Sequence, residues 1–156
     1  LDNSDVTAWD VSADALLIAR KNAHSLGAKV NLLLQDILSP TESLLYTDSE
    51  KGWFDIIVSN PPYITEREKA SIHVNVLQHE PRQALFVPDD NPLLFYRAIA
   101  HYARLALKRG GGLYFEINPL FANELKNMLQ QEGFYNVQIF TDQFKRERFA
   151  KAVWNR

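Results

Sequence analysis

A chain of 156 residues fits one ordinary domain and is long enough to bury a core. Hydrophobic residues at 46% against 23% charged exclude a disordered or fibrous chain, and a formal charge of −2 leaves no general basic surface for a nucleic-acid backbone. The absence of cysteine excludes disulfides, thiolate metal sites and a thiol nucleophile, and no apolar run approaches the ~20 residues of a membrane span, so a cytoplasmic protein with no membrane partner is expected.

In chain order, Val6-Thr7-Ala8-Trp9-Asp10 reads as a short strand. Ser12 is an N-cap for the helix that follows, marked by Ala15, Leu16, Ala19, Ala23 and Leu26 at helical spacing and stopped at Gly27. Val30 to Leu34 and Trp53 to Val58 are continuous apolar runs, expected of strands covered on both faces; the polar stretch from Ser39 to Gly52 between them reads as a loop or short irregular helix. The proline-rich segment from Asn60 to Asn91 reads as a long loop with one short helix. Asn91-Pro92 and Asn118-Pro119 each signal a helix start. The first helix is expected to stop at Lys108-Arg109-Gly110-Gly111-Gly112, before a strand from Leu113 to Ile117, and the second at Gly133. Tyr135 to Phe140 and Phe149 to Trp154 leave no room for a crossover helix between them, so they are expected to pair antiparallel. The pattern is an α/β layered, Rossmann-like sheet, mostly parallel with an antiparallel C-terminal strand pair, in a single domain over residues 1–156.

Ligands in such sheets bind beyond the carboxyl ends of the strands, where Asp10, Asp36 and Asn60 fall. Asn60-Pro61-Pro62-Tyr63 follows the run Phe54 to Ser59 directly, and its two prolines remove two backbone donors and fix φ, leaving carbonyl acceptors in set directions. An amide or aromatic amino nitrogen is a poor nucleophile because its lone pair is delocalised. If the Asn60 side-chain oxygen and the Pro61 carbonyl each accept one of its N–H bonds, the nitrogen is held in place and regains electron density, and positioning becomes most of the catalysis. Tyr63 offers an aromatic wall for a planar group. A single Asn-Pro pair is most often only a loop opener; the complete tetrapeptide at a strand end is not. Glu116 ends a buried strand, where a carboxylate needs a partner, so it is as readily a structural salt bridge or cap as a substrate contact. His24, His73, His79 and His101 show no ligand spacing, and no metal site is expected. Lys145-Arg146-Glu147-Arg148 reads as a solvated hairpin face.

Asp55-Ile56-Ile57-Val58-Ser59-Asn60-Pro61-Pro62-Tyr63-Ile64 resembles the core signature of the amino-group methyltransferases. Trp9-Asp10-Val11-Ser12, Gln35-Asp36, Glu80-Pro81 with Ala84-Leu85, Phe95-Tyr96, Gly111-Gly112 and Glu116 extend the likeness over nearly the whole chain. Within that group they make it most similar to the HemK/PrmC-type enzymes, which methylate the glutamine of the Gly-Gly-Gln motif in peptide-chain release factors. The resemblance implies S-adenosylmethionine as cofactor, a release factor as partner, and catalytic roles for Asn60, Pro61 and Tyr63. It implies that Asp10 takes the ribose hydroxyls and Asp36 the adenine amino group, that Ile37 and Leu38 flank the adenine ring, and that Asn60 also borders the cofactor. Pro62 joins the substrate-binding set, and Glu80 reads either as part of a loop closing over the substrate or as a solvated loop carboxylate.

Two departures from the family pattern stand out. No glycine-rich segment precedes Asp10, and no helical substrate-holding domain is present, so the sequence reads as a truncated catalytic domain beginning one strand late, whose exposed strand edges would drive self-association. Residues 87–92, Val-Pro-Asp-Asp-Asn-Pro, replace a glycine-bearing turn. Two other readings share the same residues: an adenine-amino methyltransferase of DNA or RNA, and an inactive or non-catalytic binding fragment.

Overall fold

The computed structural model describes residues 4–39, 52–71 and 81–155, which divide into two compact units, Leu1–Tyr46 and Thr47–Arg156.

In the first unit β1 (Val6–Asp10) leads into α1 (Ala13–Ser25), and β2 (Val30–Leu34) returns parallel to β1, with Val6 opposite Val30 and Asp10 opposite Leu34. Ser12 caps α1 as expected, its hydroxyl accepting the Ala15 N–H at 3.2 Å. The chain leaves α1 at Leu26 and turns through Gly27 at φ +63°, a conformation that favours glycine.

In the second unit β3 (Phe54–Ser59) runs to Asn60. The segment after it holds more structure than a loop. β4 (Ile64–Thr65), a 3-10 turn (Glu66–Ser71), α2 (Arg82–Leu85) and β5 (Phe86–Val87) follow, and β4 pairs parallel with β5. Two-residue strands have no periodicity for a sequence to display, which is why this ladder was not foreseen. α3 (Leu94–Ala106) starts later than Asn91-Pro92 suggests. Asn91 N–H bonds the Pro88 carbonyl and Leu94 N–H bonds the Asn91 carbonyl, so Asn91 and Pro92 belong to consecutive turns and Leu93 takes the cap position.

β6 (Leu107–Glu116) begins directly after α3, so the glycines lie inside a strand rather than ending the helix. The register explains them: Phe54 pairs with Leu107 but Ile56 with Gly112, so residues 108–111 bulge out of the ladder. A Cβ on Gly111 would stand 2.8 Å from the Lys108 carbonyl oxygen, and one on Gly112 2.7 Å from the Tyr114 ring. Asn118 then caps a short 3-10 turn (Pro119–Phe121) that continues as α4 (Ala122–Gln131). β7 (Phe134–Thr141) and β8 (Glu147–Trp154) form the expected antiparallel pair, and β8 also lies antiparallel to β6. The sheet order is β3-β6-β8-β7, with β3 parallel to β6. Tyr96, Ile99 and Ala103 of α3 and Leu125 and Leu129 of α4 are buried at helical spacing. Leu113 and Phe115 of β6 and Ala150 and Ala152 of β8 are buried at alternate positions. Each large side chain so buried contributes ~1.5–3 kcal/mol, so the sheet centre at β6 and β8 is a well-buried neighbour for β3, which pairs with β6.

Candidate functional site

Three side chains from distant parts of the sequence meet where β3 and β6 end. Ser59, the last residue of β3, is opposite Phe115, so Asn60 leaves the sheet beside Glu116, the last residue of β6. Pro61 is buried, Pro62 and Tyr63 are half-buried and Asn60 is exposed. The Tyr63 hydroxyl donates to Glu116 Oε1 at 2.8 Å and accepts from Arg148 Nη1 at 3.3 Å. The same Nη1 donates to Glu116 Oε1 at 3.3 Å, closing a triangle of phenol, carboxylate and guanidinium. Burial pushes the Tyr63 phenol up from its ordinary pKa, the Glu116 carboxylate adds to the rise by hydrogen bond and charge, and Arg148 opposes it. Tyr63 is therefore a neutral ring at neutral pH, not a proton carrier.

The backbone after Tyr63 is held just as closely. Asn118 Nδ2 donates to the Tyr63 carbonyl at 3.0 Å and to both Glu68 carboxylate oxygens at 3.2 and 3.0 Å. Glu68 Oε2 in turn accepts the Thr65 N–H at 2.9 Å and hydroxyl at 2.6 Å. Thr65 and Asn118 are both buried, so this network fixes the exit of the Asn-Pro-Pro-Tyr turn inside the unit. Among the described residues nothing hydrogen-bonds the Asn60 side chain, so its amide remains available to a ligand.

Glu116 resolves towards its ion-pair reading. Arg148, read from sequence as part of a solvated hairpin face, instead turns to the site because β8 pairs with β6: Phe149 is opposite Glu116, and the Ile117 N–H bonds the Arg148 carbonyl at 2.9 Å. Glu68 carried no sequence signal, and Asn118 signalled only a helix cap. Glu80 lies outside the described residues.

In the first unit Asp10 and Asp36 stand at the same end of the β1–β2 pair, tied together by the Gln35 N–H on the Asp10 carbonyl at 3.0 Å. Asp10 Oδ1 accepts the Ser12 N–H at 2.8 Å, and Asp36 Oδ1 accepts the Leu38 N–H at 2.9 Å, so each carboxylate is oriented by the turn it opens. Among the described residues Oδ2 of neither accepts a hydrogen bond. Ile37 is half-buried and Leu38 exposed in the turn that follows.

The α/β order of these elements, a parallel pair in the first unit and a mixed sheet in the second, is the fold of the S-adenosylmethionine-dependent methyltransferases. A methyltransferase from Pyrococcus furiosus superposes with a TM-score of 0.65 at 18% identity, over 99% of this chain and 64% of that one. The T. thermophilus 16S rRNA N2 G1207 methyltransferase, solved in complex with AdoMet and guanosine, gives 0.62 at 20% identity, over 97% of this chain and 32% of that one. At such identities the likeness is one of fold. Residues 1–86 match the family model described as methyltransferase small domain, and the chain belongs to that family. Its curated relatives include the release factor glutamine methyltransferase of Bacteroides thetaiotaomicron, 44% identical over 153 residues, covering 97% of this chain and 52% of the relative. The chain spans about half the length of the curated relatives it matches.

Proposed function

We propose that the protein transfers a methyl group from S-adenosylmethionine to the side-chain amide nitrogen of a glutamine in a peptide-chain release factor, with residues 1–156 acting as one catalytic domain. The observation that carries this reading is the Asn-Pro-Pro-Tyr turn: an exposed, uncommitted Asn60 amide on a rigid turn whose next residues are buried or pinned. A catalyst whose main task is holding a weak nucleophile needs an anchored frame and a free acceptor, and the turn supplies both. Asn60 Oδ1 and the Pro61 carbonyl each accept one N–H of the substrate amide, Pro62 shapes the turn, and the Tyr63 ring lies against the amide plane. Both oxygens can only accept, so they meet the two N–H donors without protonating the nitrogen; as the N–CH3 bond would form and the sulfonium's S–CH3 bond break, one of those protons would leave to solvent.

Asp10, Asp36 and Ile37 fit the cofactor: an oriented carboxylate with a spare oxygen suits a ribose diol, a second suits an adenine amino group, and Ile37 suits a ring face. When bound, the cofactor supplies an electrophilic methyl group on a sulfonium. Support for the substrate comes from the relatives, whose names specify release factor glutamine methylation. The test incubates the full-length protein with isotopically labelled cofactor and a release factor, then locates the label by peptide mass spectrometry. Label on the Gly-Gly-Gln glutamine is expected, and it should vanish when that glutamine is replaced by glutamate. In a parallel incubation with DNA and RNA, label on adenine instead would overturn the assignment.

A further inference from the structure

Tyr63 is gripped at both ends. Its carbonyl is held by Asn118 and its hydroxyl by Glu116 and Arg148, while neighbouring Asn60 is held by nothing among the described residues. A half-exposed ion pair adds little to stability, so the Arg148–Glu116 pair, with side chains 33% and 30% exposed, is poorly explained as a structural staple. What it does accomplish is geometric. A tyrosine ring turns about two bonds; the hydroxyl oxygen lies on the axis of the second, so fixing it from two directions stops the swing about the first and sets where the ring stands. We infer that Glu116 and Arg148 are positioning residues for the Tyr63 ring, setting where it stands beside the substrate amide; this rests on the reading of Tyr63 as the wall of the amide subsite.

Arg148 is itself well anchored for that task. Its carbonyl is bonded by Ile117, and its Nε lies 3.8 Å from Asp142 Oδ2. Asp142 closes the turn between β7 and β8 through Oδ1, which accepts the Phe144 and Arg146 N–H groups at 2.8 and 3.0 Å, and backbone hydrogen bonds hold its carboxyl below the usual range. The guanidinium thus stands on a charged, hydrogen-bonded turn whose place is fixed by the sheet. The Glu116 backbone is fixed from the other side, its carbonyl accepting the buried Tyr96 hydroxyl at 3.0 Å. Lysine at position 148 would keep the charge but lose the planar fork that reaches phenol and carboxylate together.

The experiment uses the full-length protein with Arg148→Met, Arg148→Lys, Tyr63→Phe and the Tyr63→Phe/Arg148→Met double variant. If the ring's placement is the function, Arg148→Met and Tyr63→Phe each lower kcat about tenfold with cofactor affinity unchanged, and the double variant loses no more than the single ones. Arg148→Lys, which also guards against a variant that fails to fold, recovers part of the loss. Losses that multiply in the double variant, cofactor affinity that falls in step with kcat, or a kcat unchanged in Arg148→Met would each overturn the inference. Side-chain NMR of 13C-labelled tyrosine gives a reading independent of activity: the Tyr63 ring should gain motion in Arg148→Met, and unchanged ring dynamics would refute the grip. If the wild-type protein methylates no glutamine, the functional reading fails separately, and the NMR arm, run also on Glu116→Gln, alone decides whether Arg148 and Glu116 hold the ring.

Discussion

Tyr63 links chemistry to pH. Its phenol is raised above 10.0 by burial and by Glu116; Tyr102 is pushed up to about 12 and Tyr96 higher still, both chiefly by burial. A group whose folded pKa exceeds its unfolded value contributes stability that is fully present below the unfolded pKa and is lost as pH rises through the folded one. The melting temperature should therefore decline above about pH 10 as folding comes to oppose ionisation of these tyrosines, and Tyr63→Phe should decline less steeply. Equal slopes by differential scanning calorimetry would contradict the burial assigned to this ring. Asp10 carries a different expectation. Its Oδ1 is committed to the turn, so Asp10→Ala removes an acceptor for the ribose and should weaken cofactor binding by ~1.5–3 kcal/mol in titration calorimetry on the full-length protein. Unchanged affinity would return Asp10 to a turn-opening role.

At the scale of elements, the turn after β3 depends on Asn118 and the sheet bulge depends on Gly52. Asn118→Ala would strip a donor from the Tyr63 carbonyl and from Glu68 in a buried setting, a loss of ~1–3 kcal/mol in chemical denaturation. Gly52 has φ +67°, and a Cβ there would collide with the Leu107 carbonyl, so Gly52→Ala should destabilise by more than ~1 kcal/mol. Neither dependence could be read in the sequence. The helices and longer strands could, because Ser12, Gly27 and Asn118 act on residues two or three away and apolar periodicity is local. Arg148 lies 85 residues from Tyr63 in sequence, and only the β6–β8 pairing brings it to the turn. Its neighbours Lys145, Arg146 and Glu147 are solvent-exposed as expected, so composition gave no reason to separate the fourth charge from the other three. Glu116 was half legible: a carboxylate ending a buried strand announces a partner without naming it.

Across the whole molecule, the two units carry different tasks in this account. The first presents Asp10 and Asp36, suited to a cofactor's ribose and adenine; the second presents the Asn60 amide on an anchored turn, suited to a substrate nitrogen. The motifs to which both roles are proposed were legible because each sits directly after an apolar strand, whereas the frame that fixes the turn is assembled from residues 63, 68, 116, 118 and 148 and exists only in the fold. Among the described residues no helix is long and apolar enough to cross a membrane. A division of labour of this kind predicts that binding and turnover can be separated by mutation. The most direct measurement is Asn60→Ala in the full-length protein, with single-turnover methyl transfer and cofactor titration run on the same preparation. Transfer should slow by about a hundredfold or more while cofactor affinity stays within a few-fold, because the proposal gives Asn60 the substrate nitrogen and not the cofactor. Equal losses in both quantities, or a transfer rate left intact, would contradict the account.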